Sequence, residues 1–307
     1  MAAGPCVSPS FHLRSAYLAL ALAVAGLGFS AIIVRWAAAP GVVAGFYRVA
    51  IAAAVLALPF RADLRRYAPL SRRHVALAVL AGFFFAGDLS AWSTSVLITS
   101  AANATLFGNT APLWVGLGAL VVFRQRLRAA FWFGLLLAAL GAMLILVEGF
   151  SIHSALSAGD LLALLAGGLH GAYFLVAERA RQGLSTLSTW WISAFTGALA
   201  LCALSLILRQ PLAGYPLSTY WHLTWLALVS QVGAHLLVIY ALGHLRASIV
   251  APMLLARPAL TAVLAVPLLK QPLSVTQIIG GLVVLAGMWI IYRSRDENGE
   301  AQPQSHV

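Results

Sequence analysis

The chain has 307 residues, of which 62% are hydrophobic and 9% charged, against about 25% charged in an ordinary soluble domain. With a mean hydropathy of +0.92, this composition excludes a water-soluble protein built on one buried core. A net charge of +11 would suit a nucleic-acid partner, but the basic residues stand in short clusters between apolar runs, which points to membrane lipid and to no nucleic acid.

A hydrocarbon layer about 30 Å thick takes about 20 apolar residues per helix. In chain order that length predicts ten spans, at 16–36, 40–60, 75–96, 99–123, 129–147, 159–178, 187–208, 220–242, 247–268 and 273–292. The fold class is therefore an all-α integral membrane protein. Before the first span, Arg14 followed by an apolar run and Ala37-Ala38-Ala39 has the outline of a cleavable leader. That run exceeds the roughly 7–15 residues of a leader core, which favours a retained helix. Connections between spans are short. The polar ends, 1–13 and 294–307, read as flexible tails. Cys6 and Cys202 form neither a disulfide framework nor a metal-ligand spacing.

With the N-terminus in the cytoplasm, fourteen of the nineteen Lys and Arg residues fall on the inner side. They are Arg14, Arg61, Arg65, Arg66, Arg72, Arg73, Arg124, Arg126, Arg128, Arg179, Arg181, Arg246, Arg293 and Arg295. Only Arg209 and Lys270 fall outside, and Arg35, Arg48 and Arg257 lie within helices. The asymmetry obeys the positive-inside rule and puts both termini in the cytoplasm of a bacterial-type inner membrane.

A shift of 146 residues, the distance from Ala101 to Ala247, also places Pro112 on Pro258, Gln125 on Gln271 and Leu127 on Leu273. Gly134 then falls on Gly280 and Gly141 on Gly287. The chain is thus predicted to contain two five-helix repeats, 14–148 and 158–293. An odd number of spans per repeat inverts the second relative to the first, an arrangement typical of secondary transporters.

Phe46-Tyr47-Arg48-Val49-Ala50, the stretch Thr99-Ser100-Ala101-Ala102-Asn103-Ala104-Thr105, and the paired segments Pro112–Leu127 and Pro258–Leu273 resemble the EamA-type members of the drug/metabolite transporter superfamily. The resemblance covers all ten spans. It implies a central cavity, alternating access, and export of amino acids, metabolites or toxic compounds. One departure is Gln125 and Gln271, where the family often carries Glu at the ends of helices 4 and 9.

Ionisable groups within a membrane are costly and are candidate functional groups by default. At about 1.5 Å per residue, Arg48 lies about 12 Å from the outer face and Asp88 roughly 20 Å from the inner one, so an Arg48–Asp88 ion pair is predicted. Asp88 is also the candidate coupling group, with protons as the coupling ion. Arg257, about 15 Å along its helix, is the candidate clamp for a carboxylate or phosphate. Its repeat mate is Ala111, so the charge is not shared by the two halves, and Pro258 after it weakens the helix. His170 and Asn109 come out near the midplane. Tyr173 shares the face of His170, Trp92 that of Asp88, and Gln231 and His235 stand at i and i+4. Gly41 with Gly45, and Gly167 with Gly171, have the spacing of closely packed membrane helices. Trp36, Trp190, Trp191, Trp221 and Trp225 read as interfacial anchors.

No phosphate-binding GxxxxGK[ST] is present, so no nucleotide drives the cycle within this chain, and no cofactor is implied. Neither HExxH nor GxSxG occurs, which argues against a membrane-embedded enzyme. The best reading is a secondary transporter, with an uptake permease and a lipid-handling protein as alternatives. Arg48, Arg257 and Asp88 leave one net positive charge in the membrane, which favours an anionic or zwitterionic solute. The pattern suits a monomer or a homodimer equally.

Overall fold

The computed structural model describes residues 9–37, 39–67, 69–99, 101–125, 127–146, 157–269 and 274–296, all as helices and short turns with no strand among them. The first half contains α1 (Pro9–Ala37), α2 (Gly41–Val55), α3 (Ala57–Tyr67), α4 (Arg72–Ile98), α5 (Ala101–Gly108), α6 (Ala111–Val121) and α7 (Ala129–Leu146). The second contains α8 (Ala158–Arg181), α9 (Thr186–Ile207), α10 (Leu217–Leu226), a π-helical stretch Ala227–His235, α11 (Leu236–Leu242), α12 (Ala247–Met253), a single 3-10 turn Leu254–Ala256, α13 (Arg257–Leu269) and α14 (Val275–Asp296).

Eight described helical runs are long and apolar enough to cross a membrane, nine when α2 and α3, bent by 53°, count as one. The apolar part of α1, Leu13–Phe29, is shorter than the rest. The ten spans expected from hydropathy are therefore met in eight or nine places among the described residues. The chain is a multi-pass membrane protein. Its lipid-facing surface is apolar, as Phe133, Leu136 and Leu140 on α7 and Leu282, Leu285 and Trp289 on α14 show. Trp221 and Trp225, on α10, are exposed. The side chains of Arg35 and Trp36 lie outside the described residues.

Two helices break at matching repeat positions. Asn109 and Thr110 interrupt the run from α5 to α6, and their mates Leu255 and Ala256 belong to the 3-10 turn between α12 and α13. In each case a proline follows at the second position of the new helix, Pro112 in α6 and Pro258 in α13. Proline has no N–H to give to the preceding turn, and its ring is best accommodated in the first turn of a helix. The sequence repeat is thereby written into the backbone as two half-helix starts.

The seam between α7 and α14 repeats the same logic in packing. Gly134 lies against Gly287, where an added Cβ would come 2.8 Å from the Gly287 carbonyl. Gly141 lies against Gly280, 2.6 Å by the same measure. Gly134 thus meets the repeat mate of Gly141, and Gly141 that of Gly134, the pattern that a two-fold relation between the halves produces. Around them Phe131, Leu135, Ala138, Val284 and Ile291 form a compact apolar cluster.

The larger core lies between α1, α2, α4, α8, α9 and the π-helical segment, with Leu20, Phe85, Tyr173, Phe174, Trp190, Leu201 and Ile239 at its centre. α8 runs against α4, and α5 and α6 also pack on it. Glycines permit that approach: Gly167 faces Thr110 and the Phe107 carbonyl, and Gly171 faces Ala111 and Trp114.

Candidate solute-binding site

The polar residues within the membrane assemble in two linked groups. In the first, α2 presents Arg48 to the π-helical segment. Arg48 donates through Nη2 to Ser230 Oγ at 2.9 Å. The Gln231 amide is oriented by its neighbours, with its oxygen accepting from Arg48 Nη2 and Nε at 2.8 and 3.0 Å. Its nitrogen then donates to His235 Nδ1 at 3.0 Å. An accepting Nδ1 puts the ring proton on Nε2 and leaves His235 neutral. The approach of that same Nδ1 to the Ser230 carbonyl, 3.1 Å, is then a contact rather than a second hydrogen bond. Trp190 completes the group: its indole stacks on His235 at 5.1 Å and donates to the Gln231 carbonyl at 2.9 Å. The wider turns of π-helix are what bring Ser230, Gln231 and His235 to one side, and such segments recur at functional sites.

The second group joins α4 to α8. His170 Nδ1 lies 2.5 Å from Asp88 Oδ2, a charge-assisted hydrogen bond that fixes the ring. His170 Nε2 and the Tyr173 hydroxyl, both buried, have no hydrogen-bond partner among the described residues. Phe174 meets the His170 ring edge-to-face at 4.6 Å. Phe85 bridges the two groups, 4.9 Å from Tyr173 and 5.0 Å from His235. Buried polar atoms are nearly always satisfied in native proteins, so two unsatisfied ones side by side need an explanation.

Arg257 opens α13. Among the described residues only its Nε is engaged, donating to the Leu254 carbonyl at 3.1 Å. It is half-buried and close enough to Asp88 and Arg48 for their charges to act on one another. Asn109 is half-buried at the other helix break, its N–H donating to Thr105 O at 3.0 Å. Trp92 packs on the adjoining Gly108. The cluster thus takes in Arg48, Asp88, His170, Tyr173, Gln231, His235 and Arg257, while Asn109 and Trp92 sit together at the break of the first half.

Two expectations are corrected. Asp88 does not bond Arg48; it bonds His170, and Arg48 turns to Ser230 and Gln231. Depth along a helix says nothing of the direction around it. Trp190 is fully buried inside the cluster rather than at the interface. Trp191 donates to the Ala53 carbonyl at 2.8 Å and stacks on Phe60 at 4.0 Å, and so holds the bend between α2 and α3.

The sequence reading missed both buried acids of α8. Asp160 forms a reciprocal cap with Ser157 and accepts from Thr99 Oγ1 at 2.7 Å and Asn103 Nδ2 at 3.2 Å, tying the start of α8 to the start of α5. Glu178, near the other end, accepts from the Ala247 N–H at 2.9 Å, at the start of α12. A carboxylate at a helix N-terminus satisfies orphan donors and suits the helix dipole. The serine preceding Asp160 by three was the legible signal. Of the two glutamines, the Gln125 side-chain oxygen is buried without a partner among the described residues, and Gln271 lies outside them.

The model of the EamA-like transporter family matches this chain twice, over residues 14–147 and 157–293. The chain belongs to the EamA-like transporter family. An uncharacterized transporter from Methanothermobacter thermautotrophicus is 26% identical to this EamA-like chain over 202 residues, 63% of the chain. The match spans 57% of that relative's length. A solved crystal structure superposes with a TM-score of 0.79 over 94% of this chain and 99% of the other, at 18% identity, a likeness of fold. The polar cluster thus lies among the membrane-spanning helices of an EamA-like chain.

Proposed function

We propose that the protein exports a small amino acid-like solute, anionic or zwitterionic, by alternating access between two inverted repeats, with both termini in the cytoplasm of a bacterial-type inner membrane. In this reading it is a secondary transporter and not an enzyme. Exchange of repeat mates at the α7–α14 seam supports the inversion, and the basic clusters support the orientation.

The observation that carries the solute class is the contrast between two arginines. Arg48 is occupied by Ser230 and Gln231 and serves to hold the π-helical segment. Arg257 stands at the start of a half-helix with its two terminal nitrogens unengaged among the described residues. A guanidinium there matches a carboxylate through two parallel hydrogen bonds, and the half-helix N-terminus adds favourable dipole. Discontinuous helices place such starts at the solute site in other transporter folds.

The test is exchange of labelled for unlabelled solute in proteoliposomes, with an equimolar mixture of the twenty amino acids as probe. A charged hydrogen bond is worth about 1.5–3 kcal/mol, so Arg257→Ala raises the half-saturating concentration about 10- to 100-fold. Exchange by Arg257→Ala indistinguishable from the parent rejects the clamp.

A further inference from the structure

We propose that His170 Nε2 is a single acceptor shared in time by the solute ammonium and a proton, so that export runs as an exchange of solute for protons. This rests on the reading above, that the solute is amino acid-like.

The geometry leaves one position for two donors. Asp88 takes the Nδ1 side of the ring at 2.5 Å, and in the neutral ring the proton is then on Nδ1 and the lone pair on Nε2. That lone pair is buried, has no partner among the described residues, and is accompanied by the equally unpartnered Tyr173 hydroxyl. An atom with one lone pair accepts one hydrogen. When a solute N–H occupies it, no proton can bind; when a proton binds, the ring becomes a cation and repels the ammonium. No covalent bond beyond N–H changes: the proton arrives on Nε2 as the ammonium leaves, and departs before the next ammonium arrives. Asp88 stays as the fixed counter-charge in both states.

The surroundings suit this assignment. The ionisable groups facing His170 are Asp88 on α4, Tyr173 on α8 and His235 on the π-helical segment, with Arg48 and Arg257 within electrostatic reach of Asp88. α5, α6 and α12 contain no ionisable residue, α9 only Cys202, and α11 only Tyr240. His235 is the other buried histidine of the cluster, but its Nδ1 is held by Gln231 and its ring is sandwiched against Trp190, beside Arg48. With His170 neutral, Arg48, Arg257 and Asp88 leave one positive charge, which the solute carboxylate neutralises. Protonation of His170 adds a second positive charge on the side where the ammonium sits.

Proteoliposomes with an inside-acid pH gradient separate coupling from transport. With the same amino-acid mixture outside, the parent protein should accumulate its solute, up to about tenfold for each pH unit of gradient, and lose that accumulation with a protonophore. His170→Gln should raise the half-saturating concentration for exchange of labelled for unlabelled solute and, at saturating solute, lose the gradient-driven accumulation. Accumulation by His170→Gln equal to the parent, or exchange by the parent that ignores the gradient, overturns the proposal. Absence of exchange in the parent rejects the amino-acid reading, and the histidine ring signals of the protein in lipid nanodiscs then decide. A 15N ring signal that is missing in His170→Gln and gains a proton on Nε2 as the pH is lowered upholds the proton site; a signal that does not change with pH overturns it.

Discussion

Gly141→Ala places a methyl group where α7 and α14 touch. The new Cβ would lie 2.5 Å from the Val284 nitrogen and 2.6 Å from the Gly280 carbonyl, both backbone atoms, and 2.9 Å from a Val284 methyl. Ordinary contact begins at 3.4 Å, so the two helices must separate by up to about 0.9 Å, and no side chain can move aside to spare them. Such overpacking costs about 1–3 kcal/mol. Alanine in a helix interior returns about 1 kcal/mol, leaving a net loss of about 0–2 kcal/mol. Gly168→Ala is the control: its Cβ would meet only Trp114 ring atoms at 3.8 Å, so the helix-propensity gain stands nearly alone. Thermal unfolding of the purified protein in one detergent should rank Gly168→Ala above the parent and Gly141→Ala below it. Equal midpoints for the two variants would refute the claim that α7 and α14 meet backbone to backbone.

Further outcomes follow from single contacts. Asp160→Ala removes the reciprocal cap of α8 and the acceptor of Thr99 and Asn103, and should lower stability by about 1–3 kcal/mol, with Asp160→Asn losing about half as much in the same unfolding assay. Trp190→Phe keeps the stack on His235 but leaves the Gln231 carbonyl without its donor, for a cost of about 0.5–1.5 kcal/mol in unfolding. Arg48→Leu strips the Gln231 amide of its partner and should both destabilise the protein and reduce solute exchange, whereas Arg257→Leu should reduce exchange with little change in unfolding midpoint.

Much of the architecture was legible because it is repeated. The 146-residue offset that matched Pro112 to Pro258 also marks where both helices break, since proline acts on the backbone wherever it stands. The paired glycines at 134, 141, 280 and 287 proved to line a close helix seam for the same reason: a missing Cβ is visible in sequence. Direction around a helix was less legible. Apolar residues surround these helices on all sides, so the amphipathic signal that aims a side chain in a soluble protein is weak here. Arg48 and Asp88 were placed at compatible depths yet choose different partners, and Trp190, near a helix end, turns inward to His235. The π-helical stretch that gathers Ser230, Gln231 and His235 has no local signature in its residues. The ties made by Asp160 and Glu178 were not legible, because their partners, Thr99, Asn103 and Ala247, are distant in sequence.

The measurement that bears most directly on the central claim is a mass-spectrometric survey of the medium around cells overproducing the parent protein or its Arg257→Ala variant at equal membrane levels. The account predicts one or a few carboxylate-bearing, amino acid-like metabolites enriched outside the cells with the parent and returned to the background level with Arg257→Ala. Enrichment of cationic or uncharged solutes alone, unaffected by Arg257→Ala, would contradict it.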